Sequence, residues 1–106
     1  MTKVTVHPGI CNLITNVEAS SEDGMEVMLN VTTACEAVKN MMTELGENFD
    51  AFDICLKRHG ENIFFNYASE HFPGHAGCSA ISGIVKCVEV ECKLALPKNV
   101  EIIFEN

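Results

Sequence analysis

The apolar positions change period along the chain, and the changes divide it into elements. Lys3 to Val6 alternates polar and apolar, the two-residue period of a strand with one buried face. His7-Pro8-Gly9 breaks it. The alternation returns from Cys11 to Ala19, with Leu13, Thr15, Val17 and Ala19 on one face and Asn12, Ile14, Asn16 and Glu18 on the other. Ser20-Ser21-Glu22-Asp23-Gly24 is a turn cluster, and its Asp-Gly step supports a hairpin. Met25 to Val31 alternates again: Met25, Val27, Leu29 and Val31 face inward, Glu26, Met28 and Asn30 outward. The pattern predicts three strands, at least two of them antiparallel.

Beyond Val31 the period becomes helical. Thr33-Ala34-Cys35-Glu36 has the form of a capping box, a hydroxyl at the N-cap and a glutamate three residues later. Val38, Met41, Met42 and Leu45 follow at helical spacing, and Gly46 is the stop. Cys35 then falls in the first turn. Asp50 can cap a short helix through Ala51, Ile54, Cys55 and Leu56, with Lys57-Arg58-His59 at its carboxyl end, an order that suits the helix dipole. Ile63, Phe64, Tyr67, Ala68 and His71 predict a further helix, ended by Pro73. A strand at Ile63 to Tyr67 is the alternative, on β propensity. Ser79 to Leu94 reads as a long helix with Ile81, Ile84, Val85, Val88 and Cys92 on one face, and Gly83 within it permits close packing. Leu96-Pro97-Lys98-Asn99 ends it, and Val100 to Phe104 reads as a last strand. The expected fold class is α+β: a small antiparallel sheet of three to four strands packed against helices, in a single domain over residues 1–106 with no repeat or linker.

Composition narrows the function classes. Hydrophobic residues make up 47% of the 106, enough for one modest core. The formal net charge is −8, and the seven Lys and Arg are scattered. Nucleic acid and anionic membrane both demand a basic face, so neither is an expected partner. No apolar run approaches a bilayer span, and Met1 to Pro8 has no signal-peptide character. A cytoplasmic location is expected. Six cysteines in a reducing compartment point to buried thiols, metal ligands or redox thiols rather than to a disulfide framework.

The candidate chemistry lies in His71-Phe72-Pro73-Gly74-His75-Ala76-Gly77-Cys78, a Pro/Gly-rich turn carrying two histidines and a cysteine before the long helix. A helix start offers unpaired N–H groups and the positive end of the dipole, which favour negative charge. Cys11 and Cys35 also sit beside predicted element ends. Metal sites need ligands on different elements, with small neighbours that leave room for an ion. Cys11, Cys35 and Cys78, with His75 as the best histidine and His7 next, are therefore the candidate ligands for zinc or an iron–sulfur cluster. No Cys-x-x-Cys pair is present, and each of these cysteines taken singly also reads as a small apolar residue. Cys55, Cys87 and Cys92 lie within helical patterns among apolar neighbours and read as packing; His59 reads as a cation at a helix end. No carboxylate pair, phosphate loop or Ser/His/Asp order suggests catalysis.

These positions resemble a known layout. Strands, a cysteine opening a helix, further helices and a last cysteine opening a long helix resemble the iron–sulfur cluster assembly scaffold family (the IscU and NifU N-terminal type). The spacing of Cys11, Cys35 and Cys78 is close to that family's. Val31-Thr32-Thr33-Ala34-Cys35-Glu36-Ala37 resembles its strand-to-helix cysteine turn, and His75 to Val88 its His/Cys turn and final helix. The likeness covers about residues 8 to 95. It implies a scaffold-like fold, the three cysteines as cluster ligands, and partners among proteins of cluster assembly or transfer. The chain departs from the family where Leu13 replaces an Asp two after the first cysteine, where Ala34 and Glu36 replace glycines around the second, and where His75 is three residues from the last cysteine instead of adjoining it. The expectation is a metal or cluster binding protein. A thiol enzyme using Cys78 or Cys35 with His75 as base, and a non-catalytic interaction module with a cysteine-rich core, are the alternatives.

Overall fold

The structure, a computed structural model, describes all 106 residues. Its elements in chain order are β1 (Thr2–Val6), β2 (Thr15–Ser20), β3 (Glu26–Thr33), α1 (Glu36–Leu45), β4 (Asn48–Asp50), α2 (Ala51–Cys55), a short 3₁₀ turn (His59–Glu61), α3 (Ile63–His71) and α4 (Ala80–Glu91). The four strands form one antiparallel sheet in the order β1-β2-β3-β4. Val17 stands opposite Val4 on one side and Val31 on the other, and Ala19 opposite Leu29. These inward residues pack against the helices, whereas Lys3, Thr5, Asn16, Met28, Asn30 and Thr32 lie exposed on the other face. The fold is thus α+β, with a helical layer on one face of the sheet.

The alternation made visible in the sequence holds where both neighbouring strands are present, and it fails at its margins. β2 begins at Thr15, not Cys11. Residues 7–14 form a loop in which Gly9 and Asn12 take positive φ (94° and 55°) and Asn12 N–H donates to the Gly9 carbonyl at 2.9 Å. That turn puts Leu13 in solvent instead of on the inner face. Met25 is also exposed. It sits in the β2–β3 turn, where Asp23 Oδ1 accepts the Met25 and Glu26 N–H groups at 2.9 and 3.0 Å. Those two amides hold the Asp23 carboxyl below its ordinary range.

The predicted capping box is not formed. Thr33 stays in β3, the N-cap of α1 is Cys35, and no side chain caps that end. Gly46 does close α1, at φ 89°, with its N–H on the Met42 carbonyl at 2.9 Å. β4 supplies the fourth strand through three residues paired with Glu26–Met28 of β3. Asp50 caps α2 through the Phe52 and Asp53 N–H groups, 2.9 and 3.4 Å away. α2 ends at Cys55, so Lys57-Arg58-His59 lies beyond its last turn. Residues 63–71 are helical, not a strand. Asn62 fixes that helix: its Oδ1 accepts the Phe64 and Phe65 N–H groups at 2.9 and 3.2 Å, and its Nδ2 donates to the Ile54 carbonyl at 2.6 Å.

The predicted last strand does not exist. Val100, Ile102, Ile103 and Phe104 pair with nothing and are 67–95% exposed. Strand propensity expresses a fit to a pleated, half-buried surface, and here the tail meets no such surface. The core is one cluster of 16 buried residues joining sheet and helices, with Phe64, Leu29, Met41, Ile54 and Ile84 its largest members.

α4 lies over β1 and β2. A Cβ on Gly83 would overlap Val6 Cγ2 and lie 3.5 Å from Val6 Cβ, so glycine is what lets the helix come this close. At its other end Glu91 accepts the Thr2 hydroxyl at 2.7 Å and the Ser21 N–H at 2.9 Å. α4 therefore runs antiparallel to β1, with its first turns at Val6 and its last at Thr2.

Candidate functional site

The pairing that builds the sheet also brings the candidate ligands to one end of it. Thr15 is opposite Val6 on one side and Thr33 on the other. The end of β1, the start of β2 and the end of β3 thus lie side by side. The Ala34 N–H donates to the Ile14 carbonyl at 3.4 Å, tying the loop before β2 to the entry of α1. Because the first turns of α4 sit on Val6, the turn that precedes α4 arrives at the same end. Loop 7–14 with His7 and Cys11, the junction with Cys35, and the turn with His75 and Cys78 all share it.

Each side chain is held differently. Cys35 is half-buried and packed against the core. The Thr33 hydroxyl accepts its N–H at 3.1 Å, and that hydroxyl is itself 2.8 Å from the hydroxyl of Thr15. Both threonines are buried. A buried hydroxyl needs partners, and this pair finds them in each other and in the backbone of Cys35. It is the one feature of this end that the sequence pattern did not single out, although a threonine at the inward position of each adjacent strand was there to be read. Cys78 is also half-buried against the core. It stands one residue before the N-cap, Ser79, with its N–H 3.5 Å from the His75 carbonyl. His75 itself is exposed. Cys11 is exposed on loop 7–14, between the exposed Ile10 and Leu13.

A shared end is not an assembled ligand sphere. No three His, Cys, Asp or Glu side chains anywhere in the chain stand close enough together to hold a metal ion. The donors at this end have the chemistry that zinc or an iron–sulfur cluster takes, thiol and imidazole, but this arrangement leaves them unassembled. Two of the thiols sit on the framework. The third rides on a loop whose backbone bonds are the Gly9–Asn12 turn and the Ile14–Ala34 contact.

The other three cysteines are of another kind. Cys87 is buried, and its Sγ donates to the Thr2 carbonyl at 3.3 Å and the Val17 carbonyl at 3.7 Å. Burial pushes its thiol up to about 11. Cys55 is pushed up to about 12, chiefly by burial and further by Glu89 and Cys92 nearby. Burial also raises Cys92, at the C-cap of α4. These thiols stay neutral near pH 7 and act as packing. His71 is stacked on Tyr67, with ring centroids 4.2 Å apart and planes 18° apart, and its Nδ1 is 3.2 Å from the Tyr67 carbonyl. His59 packs on the Phe65 ring at 4.8 Å. A surface depression at the opposite end of the sheet is lined by Glu22, Asp23, Glu26, Asp50 and Glu91 among others.

Comparison with known proteins adds one finding. The model of a protein family described as "Family of unknown function (DUF6951)" matches residues 2–104. No curated protein and no solved structure matches.

Proposed function

The chain belongs to this family of unknown function, and we propose that it binds a thiophilic metal ion or an iron–sulfur cluster at the thiol end of its sheet. Cys35 and Cys78 are the framework ligands, Cys11 is delivered by loop 7–14, and His75 or an external ligand completes the set. One observation carries this reading: three cysteines far apart in sequence sit on three different segments that sheet order and the seat of α4 bring to the same end. Loops and helix starts at a sheet end are where a rigid scaffold presents chemistry. The partition of the thiols supports it too, since the two buried cysteines, Cys87 and Cys92, lie outside this set.

The protein holds and hands on its metal rather than catalysing a reaction, with proteins of cluster assembly or transfer as partners. No helix is long and apolar enough to cross a membrane, and a net charge of −8 opposes nucleic acid. Ligation requires loop 7–14 to close over the helix starts, and metal binding supplies the free energy for such ordering.

The test is elemental analysis with an ultraviolet–visible spectrum on anaerobically purified protein. Wild type is expected to hold metal in near-stoichiometric ratio, Cys35→Ser and Cys78→Ser to lose it, and Cys92→Ala to keep it. Metal retained by both serine variants, or absent from wild type after anaerobic reconstitution, would sink the reading. A second reading, a binding module without metal chemistry, is favoured by the exposed Ile10 and Leu13 on either side of Cys11. It predicts that the triple variant Cys11→Ser, Cys35→Ser, Cys78→Ser folds and still captures its partner.

A further inference from the structure

Two features outside the thiol site remain unused, and they fit each other. The first is the open edge of the sheet. β1 is hydrogen-bonded to β2 on one side, and no backbone group outside the sheet bonds to residues 2–6. The second is the tail. Val100-Glu101-Ile102-Ile103-Phe104 has four apolar residues of five and neither strand partner nor core contact, with Phe104 at 95% exposed. An open edge and an unpaired β-prone segment are each unstable arrangements in water.

We propose that residues 100–104 add as a fifth strand to the β1 edge of a second copy of this chain, the two copies exchanging tails about a two-fold axis. The lengths match, five residues against the five of β1. The alternation matches as well. Val100, Ile102 and Phe104 fall on one face and continue the inward face of Val4 and Val6. Glu101 falls on the other, where Lys3 is exposed, and Ile103, the one apolar residue on that side, lies beside it. The placement of the tail favours a second copy. The tail lies clear of its own β1, exposed from Val100 to Phe104, and α4 runs antiparallel to β1 and ends at Thr2, so the shortest path from that end would lay the tail on its own β1 in parallel. A two-fold-related copy can offer the same tail antiparallel, which extends an antiparallel sheet and pairs more stably per residue. The contact repeats on both copies and so closes.

Sedimentation velocity over a wide concentration range, with hydrogen exchange read by mass spectrometry at both extremes, tests this on the full chain. The expected result is a concentration-dependent doubling of mass, with slowed exchange in residues 2–6 and 100–104 in the dimer alone. Ile102→Pro and, separately, Ile103→Pro each remove one amide donor. Successive amides point to opposite sides of a strand, so one of the two must weaken the dimer, while the urea midpoint of the dilute monomer stays that of wild type. A monomer at every concentration, slow tail exchange already in the monomer (the tail on its own β1), a dimer whose tail exchanges freely, or a dimer untouched by either proline overturns the proposal.

Discussion

The close approach of α4 to β1 brings Cys78 to the end of the sheet that carries Cys11 and Cys35, and a double-mutant cycle on Gly83 and Val6 tests it. A methyl group at Gly83 would overlap Val6 Cγ2. Forcing one methyl into a packed contact costs about 1–3 kcal/mol, and replacing a mid-helix glycine by alanine returns about 1 kcal/mol. Gly83→Ala is therefore expected to destabilise by a net of about 0–2 kcal/mol, although the same change on an open helix face stabilises. Val6 is buried, and Val6→Ala removes two methyl groups, a loss of about 2 kcal/mol with the residual cavity included. In the double variant the obstructing Cγ2 is gone, the new methyl fills part of the vacated space, and the helix gain survives. Its expected loss is about 1 kcal/mol against wild type, which makes the coupling about 1–3 kcal/mol, whereas independent sites add within about 0.5 kcal/mol. Urea titration by circular dichroism gives all three values from the midpoints at a common slope. Additive losses, or a Gly83→Ala protein more stable than wild type, would refute the seat of α4 on Val6. The shared end of the cysteines would fall with it.

Asn62→Ala is expected to cost about 2–4 kcal/mol, because it removes the cap of α3 and the buried amide that donates to the Ile54 carbonyl. Asn62→Asp keeps the cap acceptor and should recover part of the loss in urea titrations; equal losses in the two variants would contradict the two-sided role. Native alkylation near pH 8 followed by mass spectrometry should label exposed Cys11 first and leave Cys55, Cys87 and Cys92 unmodified until urea is added. The same raised thiols give a sign to alkaline stability. Above the ordinary thiol value of 9.0 the unfolded chain loses protons that the folded chain retains, so stability falls from pH 9.0 until the folded thiols ionise at about 11 for Cys87 and about 12 for Cys55; Cys87→Ala should flatten that decline. Glu91 has the opposite sign. The Thr2 hydroxyl, followed by the Ser21 amide, holds its carboxyl below 4.5, so its contribution is present above pH 4.5 and is lost as pH falls through the folded value. Glu91→Gln should cost about 1–3 kcal/mol at pH 7, and the gap to wild type should close in acid; a gap that persists at pH 2 would assign the loss to packing instead.

The sequence made the repeated elements legible and hid those that depend on a partner. Val17, Ala19, Val27 and Leu29 are buried as their alternation requires, and α1, α3 and α4 follow their helical spacing. β4 went unread because three residues with one apolar member, Phe49, carry no period; it exists because Glu26–Met28 offers it an edge. Val100 to Phe104 is the converse, high propensity that takes no edge within the chain. The capping-box motif at Thr33 was misleading for a related reason. Its hydroxyl is engaged by Thr15 across the sheet, and the strand continues through it. A local pattern yields where a long-range contact competes for the same group. The three candidate cysteines could be named from the sequence, but their common end could not, since it follows from the order β1-β2-β3 and from the direction of α4.

The two classes of cysteine are mechanically linked. Cys87 lies on the face of α4 that meets the sheet, and its neutral thiol donates to one carbonyl of β1 and one of β2. A charged thiolate could not donate there, so the burial that raises this thiol also preserves the contact. The same helix has Gly83 pressed on Val6 toward its start and Glu91 holding Thr2 and Ser21 at its end. Three contacts of different chemistry thus fix the helix along its length, and none of them uses a candidate ligand. Cys78, just before that helix, inherits the precision without contributing to it. Cys35 has a comparable support in the buried Thr15–Thr33 pair. Cys11 has none beyond the Gly9–Asn12 turn and the Ile14–Ala34 contact of its loop. On the proposed metal reading, the two thiols held by the fold define the position of the ion and loop 7–14 supplies the third.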